Sequence, residues 1–506
     1  MGYADLLAAL PLVLAAASSV AVMLVIAFYR NHGLTALATL AGLAVSFASI
    51  IVAAPYAPRN VTGLLVIDGY ALFFIGLIFA GTFAAAMLAH GYLEKNYPEK
   101  GPGAEREEFY LLLMLAATGA AVLAASAHFA SFFLGLETLS VSLYALISYP
   151  KSSEKAVEAG VKYLVLAAVS SAFLLFGMAL VYARLGTMEF SEIASAGLQS
   201  YMGDPVFLGA LALIVAGVGF KLAVAPFHMW TPDIYEGAPP PVSAFVATVS
   251  KGAVFALFLR YFAGVDIHRS GSLTLAVAVI SMGSMFIGNF LALLQNNVKR
   301  ILAYSSIAHL GYLLVAFLAA GALRVTASEY YLVSYFITML GAFGVVAVVS
   351  GREAGAMEDI EDYRGLYGKH PAIAAVFSAM LFSLAGIPLT AGFIGKFYVI
   401  AAGAGSALWT LLIALAVNSA IGLFYYVRVI VAMYSGPGAE FFPGEEHAEV
   451  APAAGQAGGG SKAPAEIAVP VASGLALAGL TLGLVWFGVY PPALLSIIQK
   501  TIHSLM

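Results

Sequence analysis

The 506-residue sequence contains no cysteine and little charge. Without cysteine the chain has no ligand for a thiolate zinc site or an iron–sulfur cluster, and it has no disulfide. Only 10% of the residues are charged, whereas soluble domains carry about 25%. The net charge is −4 and no basic block is present, which argues against a nucleic-acid partner because phosphate binding needs clustered Lys and Arg.

Apolar residues dominate instead: 62% of the chain is hydrophobic, and the mean hydropathy is +0.94. So few charges cannot cover the surface of a soluble globule of this length. We therefore predict an all-α polytopic membrane protein. The first residues lack a positive segment and run directly into an apolar stretch, which favours a first membrane helix over a cleaved signal peptide.

Membrane helices need about 20 mostly apolar residues, and 14 stretches of this kind can be marked in the sequence. They are continuous and rich in Ala, Leu and Gly, which favours helices over the alternating pattern of a β-barrel. The predicted spans are 5–29, 34–54, 69–93, 109–126, 129–149, 161–182, 206–227, 242–262, 272–294, 301–320, 330–350, 372–401, 405–434 and 467–490.

The loops between these spans differ in positive charge. One alternate set carries 12 Lys and Arg, and the opposite set with both chain ends carries 6. Because positive loops stay in the cytoplasm, both ends are expected outside. The Ala- and Gly-rich composition and the lack of a transit peptide favour the plasma (inner) membrane of a bacterium.

Several charges nevertheless fall inside predicted spans, where one central charge costs about 2.5–3.5 kcal/mol. The basic ones are Lys162, Lys221, Lys251, Lys396 and Arg428, and the acidic one is Glu137. A fold that tolerates such a cost is expected to need these groups for its function. A series of buried ionisable side chains suggests that this function is proton movement.

Glu137 and Lys251 lie deepest. Glu137 is eight residues into its span, about 12 Å from the nearer end, and Lys251 is central in its own span. A desolvated lysine near a carboxylate can change between charged and neutral forms as its neighbour's charge changes, as a proton relay requires. The alternatives are a protonated Glu137 bonded to a neighbouring helix, and a Lys251 that only pairs with Glu137.

Lys221 lies just before Pro226, which must interrupt its helix. Broken backbone at membrane depth is tolerated only when it is buried in protein or lines a wet cavity. We therefore expect Lys221 and His228 beside such a cavity. Lys221 could instead extend to the surface, and His228 could simply be hydrogen-bonded near a helix end.

Lys396 repeats this arrangement in a second apolar stretch, which is broken by Pro388. Two interrupted helices, each with a lysine, are typical of transporters built from inverted repeats. We predict two inverted five-helix repeats with broken helices 7 and 12, in which the span of Glu137 corresponds to that of His309. The predicted units are 1–108 (helices 1–3), 109–262 and 272–434 (the repeats), 435–466 (a flexible cytoplasmic linker) and 467–506 (helix 14).

Other charged groups have simpler interpretations. Lys162 begins its span, so we expect it mainly to reach the surface, with a place near Glu137 as the other interpretation. Asp68 is expected to cap a helix. Asp233 and Glu236 are expected to shape the loop after the first broken helix.

Four segments carry a family resemblance: FKLAVAPFHMWTPDIYEGAPPPVSAFVATVSK, FFLGLETLSVSLYAL, NNVKRILAYSSIAHLGY and AGIPLTAGFIGKFY. They resemble the antiporter-like membrane subunits of respiratory NADH:quinone oxidoreductase, and the resemblance covers about spans 2–13. Three features favour one particular member: 14 spans without a long lateral C-terminal helix, the segment MEDIEDYRGL, and the lysine in FIGKFY, where another member carries glutamate.

The resemblance implies a proton-translocating subunit of a quinone-reducing translocase, without a redox centre of its own. It implies that Glu137 pairs with Lys221, that Lys251 is the central lysine and that Lys396 leads to the outer face. His228 and His309 would belong to the connecting polar axis. NADH, FMN, iron–sulfur clusters and quinone would then bind partner subunits, and the partners in the bilayer would be an antiporter-like neighbour and small membrane subunits.

Other functions remain open at this stage. The same motifs occur in subunits of multi-subunit sodium/proton antiporters and of proton-pumping membrane hydrogenases. A purely structural scaffold is disfavoured by the cost of the central charges.

Overall fold

The computed structural model describes residues 2–97, 105–196, 201, 203–263, 271–350, 357–436 and 468–505. Almost all of this is helix. Apart from its first two residues, the predicted linker 435–466 lies outside the described residues. The helices are α1 (Tyr3–Ala8), α2 (Leu10–Phe28), α3 (His32–Ala53), α4 (Gly69–Asn96), α5 (Glu108–Ala125), α6 (Phe129–Ile147), α7 (Glu154–Leu185), α8 (Phe190–Ser195), α9 (Pro205–Leu222), α10 (Thr231–Gly237), α11 (Pro240–Phe262), α12 (Gly271–Leu293), α13 (Val298–Leu318), α14 (Ala322–Val349), α15 (Leu366–Lys369), α16 (Pro371–Ala385), α17 (Ala391–Gly405), α18 (Trp409–Tyr434), α19 (Val471–Val489) and α20 (Pro492–Leu505).

Within the described residues, thirteen of these helices are long and apolar enough to cross a membrane. The two shorter helices α16 and α17 follow one another where the twelfth span is predicted. The prediction of an all-α polytopic membrane protein is therefore confirmed. Both predicted interruptions are present as well: α9 ends at Leu222 before α10 and α11, and α16 ends at Ala385 before α17.

The helices form a buried centre and a lipid-compatible periphery. α11, α13 and α14 are almost wholly covered by their neighbours, whereas α2, α3 and α19 bury about a third of their residues or less. The outward side chains of the peripheral helices are mostly large and apolar, as hydrocarbon contact requires. Polar groups near the middle of the three central helices are therefore shielded from lipid and bulk water.

A short antiparallel hairpin pairs β1 (Arg59–Val61) with β2 (Leu65–Ile67), with Asn60 opposite Val66. It lies beside α1, joined through an ion pair between Arg59 and Asp5. We call the side that carries α1, this hairpin and α20 the terminal face. The opposite face carries the connections around residues 150, 297 and 358.

Local capping explains several helix starts. Asp68 accepts a hydrogen bond from the amide of Ala71 at the start of α4, so its predicted role as an N-cap is confirmed. Ser153 caps α7 in the same way. This cap starts α7 seven residues before the predicted span, because a polar first turn can extend beyond the hydrocarbon.

Two further boundaries differ from the prediction. α14 begins at Ala322, eight residues before the predicted start, and so includes Glu329. The terminal helix α20 was not predicted, because its apolar residues occupy one face and do not form a continuous run. It packs across α4 and α14 at the terminal face.

Candidate functional site

The first interruption leaves Lys221 in the last turn of α9. Ala223 follows in the left-handed region with φ 59°, which ends the helix. The amide of Ala225 donates to Ser284 Oγ at 2.9 Å, so a side chain of α12 satisfies part of the broken backbone. The break therefore sits within protein and not against lipid, as membrane-embedded irregular backbone must.

Lys221 and Glu137 lie near one another, and each is held by a serine. The Lys221 ammonium is buried and donates to Ser140 Oγ at 2.7 Å. Ser140 lies one turn along α6 from Glu137, whose carboxylate accepts from Ser171 Oγ of α7 at 2.6 Å. Among the described residues, Glu137 and Lys221 form no direct ion pair. Their expected pairing therefore remains a prediction about a state with a different side-chain arrangement.

Lys251 is central in α11 and only 1% exposed. It follows a π-helical turn at Val246–Ser250, a local distortion that is frequent at functional sites. Its ammonium donates to Ser306 Oγ of α13 at 2.6 Å and lies 5.4 Å from the ring centre of Tyr235. The hydroxyl of Tyr335 also donates to Ser306, at 2.8 Å. A neutral hydroxyl and an aromatic face thus surround this lysine.

His309 lies one turn after Ser306 on α13, so the same helix face carries both. Its Nδ1 is 2.6 Å from the hydroxyl of Tyr331, and its Nε2 is 3.2 Å from that of Tyr426. Each ring nitrogen therefore has one hydroxyl partner, which can donate or accept according to the tautomer.

Lys396 occupies the second interruption. Its ammonium donates to the carbonyl oxygens of Leu384 and Ala385 at 3.0 and 2.9 Å, and to Ser419 Oγ at 2.9 Å. These two carbonyls end α16, where the break at Gly386 removes their helical partners. A cation is favoured at a helix C-terminus, so this lysine and this break stabilise one another.

A small cavity of about 10 Å³ lies between His309 and Lys396. This is about the room that one water molecule needs. Seven of the nine residues that line it have polar side chains: His309, Tyr331, Ser334, Tyr335, Thr338, Ser383 and Lys396, beside Leu384 and Gly392. A water molecule in this cavity would lie beside both His309 and Lys396.

We call five of these residues the charge axis: the half-buried Glu137 and the buried Lys221, Lys251, His309 and Lys396. Within the described part of the chain, no hydrogen bond joins Lys221 to Lys251. Each axis residue has hydrogen-bond partners of its own, and within the described residues no hydrogen bond joins one axis residue directly to the next. Such a row of titratable groups, separated by hydroxyls, is suited to passing protons.

His228 and Lys162 stand apart from this axis. His228 follows the first break, and its ring is buried without a side-chain hydrogen-bond partner among the described residues. Lys162 is partly exposed, and its ammonium contacts Glu158 at 2.7 Å and Asp233 at 2.8 Å. Lys162 thus reaches the surface, as its position predicted, and the structure does not bring it to Glu137.

An ion network covers the opposite face beneath the axis. It consists of Lys155, Lys162, Asp233, Glu236, Lys299, Arg300 and Glu358. Glu236 receives hydrogen bonds from Arg300 at 2.8 Å and Lys155 at 3.2 Å. The network joins α7 and α10 of the first predicted repeat to α13 and residue 358 of the second.

Burial and ion pairing act in opposite directions on the two α10 carboxyls. Partial burial favours a higher pKa for Asp233, but hydrogen bonds from Lys162 and Arg300 outweigh it and hold this pKa below its ordinary value. Burial likewise favours a higher pKa for Glu236, but hydrogen bonds from Arg300 and Lys155 outweigh it and hold this pKa below its ordinary value. Both groups therefore carry negative charge at neutral pH.

The hydroxyl partners were not identified from the sequence. Ser140, Ser306 and Ser419 each contact an axis lysine, and Tyr331 and Tyr426 contact His309. Ser140 and Ser306 lie one helical turn from Glu137 and His309, so the sequence could have indicated these two partners. Ser419 could not be found in this way, because it lies 23 residues from Lys396 on another helix.

Comparisons with known proteins agree on one family. A profile described as NADH:quinone oxidoreductase/Mrp antiporter, TM, matches residues 126–422, which include the whole charge axis. NADH-quinone oxidoreductase subunit N of Nitrosospira multiformis is 50% identical over 397 residues, which cover 75% of this chain and 74% of that protein.

Solved structures share the architecture. A chain of respiratory complex I from Thermus thermophilus with bound aureothin is 32% identical, with a TM-score of 0.77 and coverage of 96% of this chain and 98% of that one. A chain of the Mrp complex from Dietzia is 20% identical, with a TM-score of 0.83 and coverage of 100% and 98%. At that identity the second likeness shows the fold alone.

Proposed function

Since the chain belongs to the NADH-quinone oxidoreductase subunit N family, we propose that it moves protons along the charge axis while partner subunits transfer electrons from NADH to quinone. Proton translocation is general to this family, and the complex as a whole is an enzyme. The proposal concerns the route within this chain and the residues that form it.

Lys251 carries this proposal. An ammonium that is 1% exposed at the middle of a membrane protein, bonded to a serine one turn from a histidine, is costly as a structural element alone. A group that exchanges its proton with neighbours would justify that cost. Ser306 and His309 provide the next acceptors toward Lys396.

Electrostatic coupling would drive the movement. In a protein interior with an effective dielectric constant near 20, two unit charges several ångströms apart interact by a few kcal/mol, on the order of what controls protonation. A change in the charge or distance of Glu137 relative to Lys221 would therefore alter the charge that Lys251 can hold. The proton from Lys251 would then pass through His309 and the small cavity to Lys396.

We place the cofactors and the remaining chemistry in partner subunits. NADH, FMN, iron–sulfur clusters and quinone would bind there, and this chain offers no cysteine for a cluster. Its partners would be an antiporter-like neighbour and small membrane subunits, within a bacterial plasma membrane. Residues 109–262 and 272–434 would form the two inverted repeats that place Lys221 and Lys396 on either side of Lys251.

The test compares Lys251→Ala with wild type in inverted native membrane vesicles. NADH oxidation and vesicle acidification are recorded together. We expect a lower ratio of acidification to NADH oxidised in Lys251→Ala. The control is Lys151→Ala, which removes a lysine whose side chain is 84% exposed and should leave the ratio unchanged. An unchanged ratio in Lys251→Ala would contradict the proposed function.

A further inference from the structure

A second buried carboxyl group lies outside the charge axis. Glu329 is 0% exposed and sits about 10 Å into α14 from the terminal face, since seven residues precede it in the helix. One carboxyl oxygen, Oε2, accepts from Thr501 Oγ1 of α20 at 2.7 Å. The other, Oε1, is buried and has no hydrogen-bond partner among the described residues.

Within the described residues, no ion pair joins Glu329 to a cation. Asp68 and Tyr70 face it from the start of α4, and Arg260 of α11 lies near the same Tyr70. Arg260 is committed to Asp68 through two hydrogen bonds of 2.8 and 2.9 Å. Arg324 also lies near Tyr70 and has an interaction of its own. It lies five residues before Glu329 on α14, whereas side chains on one helix face are three or four residues apart.

Burial makes the charged state of this group costly. An ionised carboxylate out of water costs several kcal/mol unless a cation and further donors compensate it. Among the described residues one neutral hydroxyl donates to this group, and Asp68, the carboxylate that acts on it, has the same sign. A carboxyl group that carries a proton fits this environment better, because protonation removes the uncompensated negative charge.

α14 carries this carboxyl and two tyrosines whose hydroxyls bond to groups at the charge axis, and because two and six residues separate them from Glu329 they face another side of the helix. Tyr331 and Tyr335, which bond to His309 and Ser306, lie two and six residues after Glu329 on the same helix. Glu329 is closer than either tyrosine to the terminal face. It therefore lies between the axis and that face, beneath the amphipathic helix α20.

From this geometry we propose that Glu329 is a proton-binding site at the terminal end of the molecule, which exchanges protons during transport and is held by Thr501 of α20. This inference rests on the proposed function, because it extends the same route toward the terminal face. It assigns to α20 the task of separating the carboxyl group from bulk water.

The first test asks whether Glu329 carries a proton. Infrared spectra of the purified complex are compared between wild type and Glu329→Gln at neutral pH. We expect a carboxylic acid C=O band in wild type that is missing from Glu329→Gln. The band should shift in Thr501→Val, which removes the donor to Oε2, and should stay in place in Ser328→Ala, a buried neighbour. If wild type has no such band, the carboxyl is ionised and the inference is wrong.

The second test asks whether this proton is exchanged during transport. Acidification per NADH oxidised is measured in vesicles that carry Glu329→Gln, with Ser328→Ala as control and Lys251→Ala in parallel. We expect Glu329→Gln to lose as much of this ratio as Lys251→Ala does. If acidification per NADH oxidised stays at the wild-type value in Glu329→Gln but falls in Lys251→Ala, this inference is wrong and the proposed function still holds.

The outcomes also separate this inference from the proposed function. A full ratio in Lys251→Ala would reject the proposed function, while the infrared band would still decide whether Glu329 binds a proton. If Glu329→Gln fails to assemble, as a lost NADH oxidation rate would show, Thr501→Val replaces it. In that case a band that does not shift, or a full acidification ratio, overturns the inference.

Discussion

At the residue scale, each lysine of the charge axis is held by a neutral partner and not by a carboxylate. Lys221 and Lys251 donate to serine hydroxyls, and Lys396 donates to a serine and two carbonyls. Since a strong counter-ion would hold a lysine in its charged form, neutral acceptors keep the charged and neutral forms closer in free energy. This choice of partners suits proton exchange.

Glu137→Gln should impair pumping without preventing assembly. Glutamine keeps an oxygen that can accept from Ser171 but removes the charge that acts on Lys221. We expect acidification per NADH oxidised to fall, with NADH oxidation near the wild-type rate. The matched control is Glu154→Gln, an exposed glutamate at the start of α7. Unchanged acidification in Glu137→Gln would remove this residue from the route.

The carboxyls of α10 predict an acid-dependent loss of stability. The pKa of Glu236 is lowered in the folded chain from its ordinary value of 4.5, so its ion pairs contribute fully above that pH and are lost as pH falls through the folded value. We expect Glu236→Gln to lower the unfolding free energy by about 1 kcal/mol at pH 7. Thermal unfolding of the complex should show this difference disappearing on acidification.

The exposed Glu154→Gln is the control for that experiment, with no difference from wild type expected at either pH. A destabilisation by Glu236→Gln that stays constant down to acid pH would show that packing, and not the ion network, carries the effect.

At the element scale, the second helix break depends on Gly386. It has φ +86°, a conformation that glycine adopts readily and other residues adopt at a cost. A Cβ added there would lie 2.9 Å from Lys396 Cδ and 3.2 Å from its Nζ. Glycine thus allows both the break and the close approach of the lysine to the end of α16.

Gly386→Ala should therefore affect stability and pumping together. We expect a loss of about 1–2 kcal/mol from the left-handed conformation. We also expect lower acidification per NADH oxidised, because the Lys396 ammonium must move from the two carbonyls. Thermal unfolding and vesicle acidification measure the two effects. In Gly405→Ala, on the same broken helix with no atom within 4 Å, both should stay near wild type. Equal behaviour of the two variants would contradict this account.

At the scale of the whole molecule, a buried ion pair joins distant parts of the chain. Asp68 at the start of α4 and Arg260 near the end of α11 are 192 residues apart, and their side chains are 3% and 10% exposed. Arg260 also donates to the carbonyl of Ala124 at the end of α5. The pair therefore connects three helices at the terminal face.

Removing one partner should destabilise the assembly strongly. Arg260→Met leaves the Asp68 carboxylate buried and uncompensated, for which we expect a cost of about 3–5 kcal/mol. Asp68→Asn/Arg260→Met should recover part of it, as measured by thermal unfolding of the complex. Asp5→Asn, at the more exposed pair with Arg59, should cost at most about 1 kcal/mol. Equal losses in both single variants would argue against a special role of the buried pair.

Sodium should not be required for transport. The axis presents three buried ammonium groups, which repel a metal cation but can each carry a proton by a covalent bond. We expect NADH-driven acidification to be unchanged when sodium is replaced by potassium or choline. Loss of acidification without sodium, measured in the same vesicles, would favour the sodium/proton antiporter alternative.

The spans, the two helix breaks and the five residues of the charge axis can all be found in the sequence alone. These features depend on local energetics, because hydrocarbon excludes charges and unpaired backbone groups. A window of about 20 apolar residues therefore indicates a membrane-spanning helix, and a proline within it indicates where the helix is interrupted. A lysine at the centre of such a window is recognised because burying its charge costs free energy.

Only the tertiary structure decided how these charges are partnered. It bonds Lys251 to Ser306 and Lys396 to the end of α16, joins Asp68 to Arg260, and buries Glu329 beneath α20. Glu329 in particular lies in a stretch that hydropathy assigned to a loop. Such contacts depend on which helices pack together and on how each is rotated, and no local window of sequence contains that information.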